Sequence, residues 1–283
     1  MITILVTGGK GQLASCIKEV ANGQKELYFI YVDYDELDIT KEDEVQRFFI
    51  GKDINFCVNC AAYTAVDKAE SEAATAKKIN VDGARYLAEA CKKHKAKLIQ
   101  ISTDFVFNGK QSVPYKEDMA VNPLGVYGST KLEGEVVIAN VLKEHFIIRT
   151  SWLYSKYGHN FMKTMLRLGQ ERNTLNVVYD QVGTPTYGID LARVLINIIQ
   201  KDTDKYGTYH YSNEGVASWY DFAKAIFDIQ KSNCQVFPVG TVAYPTPAER
   251  PFFSVMDKAK IKDQLGIEIP YWRDSLKKCL QNK

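Results

Sequence analysis

No stretch of this sequence approaches the roughly 18–20 consecutive apolar residues that a membrane-crossing helix requires. The apolar start, Thr3 to Thr7, is too short for the core of a secretory signal and runs straight into glycines, so no leader is expected. An excess of one charge is also missing. Lysine and arginine number 36 against 34 acids, a net charge of +2, and no basic stripe stands out. That balance argues against a nucleic-acid partner. Histidine is scarce: the four residues His94, His145, His159 and His210 lie far apart, and no ligand-spaced cluster with cysteine or carboxylates surrounds them. No metal is expected. The six cysteines, Cys16, Cys57, Cys60, Cys91, Cys234 and Cys279, are scattered. Cys57 and Cys60 form a CxxC without a second pair, inside FCVNCAA, which reads as the end of a buried strand. A metal or redox role is the alternative; buried free thiols in a reducing compartment, the cytoplasm, are the preferred reading. Repeats and low-complexity tracts are absent as well.

What is present describes an ordinary globular enzyme, 46% hydrophobic and 25% charged over 283 residues. That length fits one large α/β domain or a domain with a smaller partner. Short apolar runs alternate with helical stretches. Strands are predicted at Ile2–Thr7, Leu27–Val32, Ile54–Cys60, Lys97–Ser102 and His145–Thr150. Helices are predicted at Gln12–Ala21, Lys41–Phe49 with Thr40 as cap, Glu70–Lys95 with an internal break, and Tyr127–Leu142. This order implies crossover connections and a Rossmann-type, doubly wound parallel sheet covered on both faces. After residue 150 the elements shorten: a helix at Asn160–Gln170, a strand remnant at Val177–Tyr179, a helix at Ile189–Gln200, a strand at Thr208–Tyr211 and a helix at Trp219–Gln230. A proline-rich loop, Tyr244–Pro251, and two short helices follow. The expected division is a dinucleotide-binding domain over 1–150, completed by about 186–210, and a smaller C-terminal substrate-binding part from 151–185 and 211–283. No clean linker separates them, which places the active site between them.

Strand one ends in Thr7-Gly8-Gly9-Lys10-Gly11-Gln12-Leu13-Ala14. Gly8, Gly11 and Ala14 make a GxxGxxA spacing between a strand and a helix. Glycine permits the tight turn and the close approach of backbone N–H groups to a pyrophosphate, and the helix adds its positive end. A structural turn is the plainer alternative, but the strand–turn–helix context favours a dinucleotide. Asp33 ends strand two about twenty residues on, where an acid meets a ribose 2′-hydroxyl. An acid there favours NADH over NADPH; a solvated loop acid is the alternative. Asp38 and Ile39 follow, within reach of an adenine.

Strand four ends in Ser102-Thr103-Asp104, and Tyr127-Gly128-Ser129-Thr130-Lys131 opens the next helix. YxxxK sets tyrosine and lysine on one helical face. A neighbouring ammonium and a cationic nicotinamide favour the phenolate and so lower the tyrosine pKa; the lysine can also hold a ribose, and a strand-end hydroxyl can polarise a carbonyl. The pattern alone is common, and Tyr220 with Lys224 repeats it. That second pair lacks a preceding strand-end hydroxyl and is set aside.

The motifs TGGKGQL, NCAAYTAVDKAE at 59–70, STDFVFNG at 102–109, NPLGVYGSTKLEGE at 122–135, RTSWLY at 149–154, NFMKTMLRL at 160–168, DQVGTPT at 180–186 and YPTPAERP at 244–251 run nearly end to end. With them the chain resembles the extended short-chain dehydrogenase/reductases, and within these the dTDP-4-dehydrorhamnose reductase family. The resemblance implies NADPH- or NADH-dependent reduction of the C4 ketone of dTDP-4-dehydro-β-L-rhamnose, the last step of dTDP-L-rhamnose synthesis. It implies that Gly8, Gly11, Gln12 and Leu13 meet the pyrophosphate, Asp33 the adenosine ribose, and Asp38 with Ile39 the adenine. Ala61, Ala62 and Tyr63 would line the cofactor. Thr103, Tyr127 and Lys131 would be catalytic, the last two also touching the cofactor. Val66, Thr103, Asp104 and Trp152 would touch the sugar nucleotide, and Arg250 its diphosphate. Trp152 as plain core and Arg250 as the partner of an acid remain the alternatives. At the level of function these are another nucleotide-sugar reductase or 4-epimerase, or a non-catalytic regulatory subunit of the methionine adenosyltransferase type. A homodimer is compatible with the sequence, which marks no interface helix.

Overall fold

Ile4 and Val6 of strand β1 (Ile2–Thr7) pack into one apolar cluster and Leu5 into another, and all three are fully buried. Side chains alternate across a strand, so a strand dry on both faces reads as a continuous apolar run. The same alternation recurs at Val58 and Cys57 and at Ile99 and Leu98. In this computed structural model residues 1–281 are described. The first half runs β1, α1 (Gln12–Ala21), β2 (Leu27–Val32), α2 (Glu42–Phe49), β3 (Phe56–Asn59), α3 (Val66–Ala69) and α4 (Ala73–Lys77). A π-helical turn at Lys78–Gly83, α5 (Ala84–His94), β4 (Lys97–Thr103), α6 (Val126–Val141) and β5 (His145–Thr150) complete it. The second half carries β6 (Leu153–Tyr154), α7 (Phe161–Glu171), β7 (Thr174–Val178), β8 (Val182–Gly183), β9 (Thr186–Tyr187), α8 (Gly188–Lys201) and β10 (Gly207–His210). It ends with β11 (Ala217–Ser218), α9 (Trp219–Gln230), β12 (Gln235–Val239), α10 (Ala259–Leu265) and α11 (Trp272–Gln281).

Six strands form one sheet in the order β10-β5-β4-β3-β1-β2, every neighbouring pair parallel. Helices α1 and α8 cover one face, and α2, α5 and α6 the other. The strand order reverses between β1 and β3, which is where open α/β sheets leave a crevice at the strands' carboxyl ends. Three two-stranded ribbons, β6–β9, β7–β12 and β8–β11, lie outside the main sheet.

Some expectations are corrected. Thr40 does not cap α2: its hydroxyl donates to Asp38, Lys41 occupies the cap, and Glu42, Asp43 and Glu44 supply the negative first turn. The expected break inside 70–95 lies at its start, where Glu70–Glu72 form a turn between α3 and α4; beyond it the helix is continuous through a π-helical turn, where Gly83 lets it approach Ile39, and a Cβ there would lie 2.8 Å from Ile39 Cδ1. The Cys57–Cys60 pair, by contrast, keeps its preferred reading as two thiols. Both thiols are free, and Cys57 turns into the core toward Cys91 while Cys60 lines the cleft described below.

Candidate active site

The turn after β1 is built for close approach. Gly8 adopts φ +63°, and a Cβ on it would lie 2.9 Å from the Ala61 backbone nitrogen; a Cβ on Gly11 would lie 2.9 Å from the Gly8 carbonyl oxygen. The turn is closed by Asp33, whose Oδ2 accepts the Lys10 backbone N–H at 2.7 Å. The Gly9, Lys10 and Gly11 N–H groups are donated to Val32, Asp33 and Gly8 and hold the turn, which leaves the α1 N-terminus, with no side chain on Gly11 in the way, as the end that suits a pyrophosphate.

Gly8, Gly11, Gln12, Leu13, Asp33, Asp38, Ile39, Ala61, Ala62, Val66, Thr103, Asp104, Tyr127, Lys131, Trp152 and Arg250 all line one cleft of about 980 Å³. Tyr63 does not. Its backbone is clamped by Asn80, but its phenol turns outward and donates to Glu72 at 2.7 Å. Tyr63, expected to line the cofactor, thus stands behind the cleft wall rather than on it. Asn80 itself, buried on the π-helical turn, also donates to Thr130 of α6 and ties the two walls of the cleft together.

At the cleft floor, Lys131 Nζ donates to the Ile101 carbonyl at 2.7 Å, and Thr103 Oγ1 donates to Asp104 Oδ1 at 3.0 Å while accepting the Phe105 N–H. The Tyr127 ring stands edge-on to Phe105, with centroids 5.6 Å apart. Burial lifts the Tyr127 phenol to about 12, with the Thr103 hydroxyl pulling it back and Asp104 pushing it further. Burial lowers Lys131 to about 8 against the opposing pull of Glu135 and Cys60. Burial also raises Asp104 to about 6, opposed by hydrogen bonds from Ser254 and Thr103. Burial outweighs the Thr103 hydrogen bond on this phenol, and Tyr127 is a protonated acid at neutral pH.

Gly128 fixes that acid in place. A Cβ on it would lie 2.2 Å from the Phe105 carbonyl oxygen. Gly128→Ala is expected to push the start of α6 off its seat and lower turnover about a hundredfold, because sub-ångström placement governs proton transfer. Steady-state kinetics beside dinucleotide titration checks this; turnover within about twofold of the parent would sink it.

Trp152 sits at φ +48° and stacks on Trp219, with rings 3.5 Å apart and nearly parallel. Trp219 and Phe161 also line the cleft, and with Arg250 they lead into a second cavity of about 650 Å³ floored by β7 and β12. Sequence reasoning missed both aromatics. Trp219 starts α9 behind a Ser218–Asp221 capping box, and only that S-x-x-D spacing marked the helix start. Arg250 lines both cavities and is paired with Asp67, so the two readings of it meet in one residue.

The RmlD substrate binding domain family matches residues 2–283. The chain belongs to this family. The dTDP-4-dehydrorhamnose reductase of Aggregatibacter actinomycetemcomitans is 43% identical over 289 residues, covering 98% of each chain. The crystal structure of a dTDP-4-dehydrorhamnose reductase from Clostridium acetobutylicum superposes with a TM-score of 0.96 at 42% identity, covering 99% of each chain. That of a dTDP-4-dehydrorhamnose reductase from Bacillus anthracis, in complex with NADP, gives 0.96 at 39% over the full length of both. Among the described residues no group of three or more histidine, cysteine or acidic side chains could hold a metal ion, and no helix is long and apolar enough to cross a membrane.

Proposed function

We propose that this chain reduces the C4 ketone of dTDP-4-dehydro-β-L-rhamnose to the alcohol of dTDP-β-L-rhamnose, using NADPH or NADH. The observation that carries the reading is the single cleft that joins the glycine turn after β1 to Thr103, Tyr127 and Lys131 at its floor. When bound there, a reduced nicotinamide supplies the hydride. The protein does the rest. Tyr127 donates its proton to the oxygen of the ketone as negative charge develops, and its raised pKa keeps that proton available near neutrality. Thr103 directs its hydroxyl from Asp104 to the same oxygen. Lys131, anchored on the Ile101 carbonyl, compensates the phenolate left behind and holds the ribose. Trp152 and Trp219 offer a flat apolar wall for the sugar, and Arg250 a planar cation for the diphosphate.

Asp33 presents its carboxylate at the adenosine end, which suits a free ribose 2′-hydroxyl; Lys10 beside it, paired with Asp35, supplies a cation that suits a 2′-phosphate. That rim therefore supports the use of either dinucleotide. The six unpaired thiols agree with a reducing compartment such as the cytoplasm.

The test is stoichiometry. One NADPH or NADH consumed per sugar nucleotide converted supports a reductase; conversion without added reductant, on retained NAD, would mark a 4-epimerase instead. The Lys131 ammonium adds a pH prediction. Its pKa is depressed to about 8, so its charge is present below that value and lost as pH rises through it. The kcat/KM for the sugar nucleotide is expected to fall on the alkaline side near pH 8, and Lys131→Arg, which cannot deprotonate in this range, should lack that limb. An unchanged alkaline limb in the arginine variant would assign it to another group.

A further inference from the structure

No sequence motif marks Asp67, yet it stands between the two halves of the molecule. It lies on α3, directly after the cleft residue Val66, and its partners come from the loop between β12 and α10. Arg250 Nη1 donates to Asp67 Oδ1 at 3.0 Å and Nη2 to Oδ2 at 2.8 Å, a two-point fork. Nη1 also donates to the Ala248 carbonyl at 3.0 Å, and the Ala248 N–H donates back to Asp67 Oδ1 at 3.2 Å. The Arg250 guanidinium draws the Asp67 carboxyl below its usual range.

A guanidinium has five N–H donors in one plane. Three are used here: both of Nη1 and one of Nη2. The remaining two, Nε–H and the second Nη2–H, lie together on the adjoining edge, and neither has a partner among the described residues. That edge is itself a bidentate fork of the kind that matches two phosphate oxygens. The side chains of Asp67 and Arg250 are 41% and 23% exposed, and an ion pair that wet contributes little to stability. Its geometry, by contrast, is fully specified. Three hydrogen bonds fix the plane of a cation that lines both cavities, and the Ala248–Asp67 contact holds two of its acceptors together.

We infer that Asp67 is a positioning residue for sugar-nucleotide binding: it holds one edge of Arg250 so that the other edge meets the diphosphate, and it pins the loop at 244–251 to the dinucleotide-binding half. This rests on the reading of Arg250 as a diphosphate ligand. No proton or bond changes hands at Asp67; its effect is on binding alone.

The experiment compares dTDP with thymidine as ligands of the full chain, by titration calorimetry, in the parent and in Asp67→Asn, Asp67→Ala and Arg250→Ala. The ratio of the two affinities reports the diphosphate contribution and cancels general damage. Both Asp67 variants are expected to lower that ratio by about tenfold or more, with thymidine and NADPH affinities unchanged. In kinetics KM for the sugar nucleotide should rise by a similar factor while kcat stays within about threefold. A ratio that is unchanged or higher in both Asp67 variants overturns the inference; a higher one would mean that the carboxylate competes with the diphosphate. Arg250→Ala separates the two levels. If it lowers the ratio and the Asp67 variants do not, only the positioning role fails. If it too leaves the ratio unchanged, the diphosphate reading of Arg250 fails with it.

Discussion

Tyr127→Phe leaves dinucleotide binding intact and lowers turnover by at least about a hundredfold, the usual contribution of a positioned general acid. The substitution removes one hydroxyl and keeps the ring that packs edge-on against Phe105, so the fold has little to lose. What disappears is the proton donor. Burial holds that phenol near 12, well above neutrality, so the parent enters the reaction protonated and needs no preceding proton uptake. Thr103 cannot substitute, because a hydroxyl that already donates to Asp104 and accepts from Phe105 can polarise the ketone but is too weak an acid to protonate it. Fluorescence titration with NADPH and steady-state rates on the same preparation check both halves of the prediction. Turnover near the parent's would remove Tyr127 from the chemistry.

Glu135→Ala is expected to cost about 3–5 kcal/mol of stability, since it strands a buried cation. Glu135 and Arg149 are each 5% exposed. Arg149 Nε and Nη2 both reach the carboxylate, at 2.9 Å and 2.6 Å for the shorter contacts, and Ser102 donates a third hydrogen bond to it. The arginine extends the network to His210, which burial and the neighbouring guanidinium push down to about 3, so the ring is neutral. Its Nδ1–H then donates to the Tyr115 carbonyl while Nε2 faces Arg149. This chain links α6, β4, β5 and β10 directly beneath Lys131, four residues before Glu135 on the same helix. Replacing both partners with apolar residues, Glu135→Leu with Arg149→Met, should restore much of the loss, because the desolvation cost of the ions goes with them. Urea unfolding of the single and double variants is the check. A single-variant loss under about 1 kcal/mol would show that water reaches the pair.

The dinucleotide half was legible because its signals are local. Continuous apolar strands, a glycine turn between strand and helix, and an i,i+4 tyrosine and lysine each follow from short-range geometry. The strands Ile2–Thr7, Leu27–Val32 and His145–Thr150 carry the expected bounds for that reason. The second half hid its architecture. Strands β6, β8, β9 and β11 are two residues each, too short for any period to show, and β12 carries Pro238 within its run. Its pairing with β7 is parallel, so no turn joins the two and no hairpin signal exists. Among site residues, those set by a turn or a helical spacing could be named from sequence. Those set by long-range packing could not: Trp219 stacks on Trp152 from another part of the chain to form one wall of the cleft, and Asp67 meets Arg250 across most of the chain's length. Spacing reveals which charge is near, but how much water burial removes is a property of the folded cleft.

The most direct test of the central claim follows one hydrogen atom. NADPH carrying deuterium at the transferable position of its nicotinamide would be supplied with the 4-dehydro sugar, generated in situ from dTDP-glucose by the two enzymes that precede this step. The product would be analysed by mass and by NMR. The account predicts dTDP-β-L-rhamnose with deuterium at C4 of the sugar, formed by the parent and lost with Tyr127→Phe. A folded, NADPH-binding protein that yields no deuterated sugar, or that returns a C4 epimer without net reduction, would contradict it.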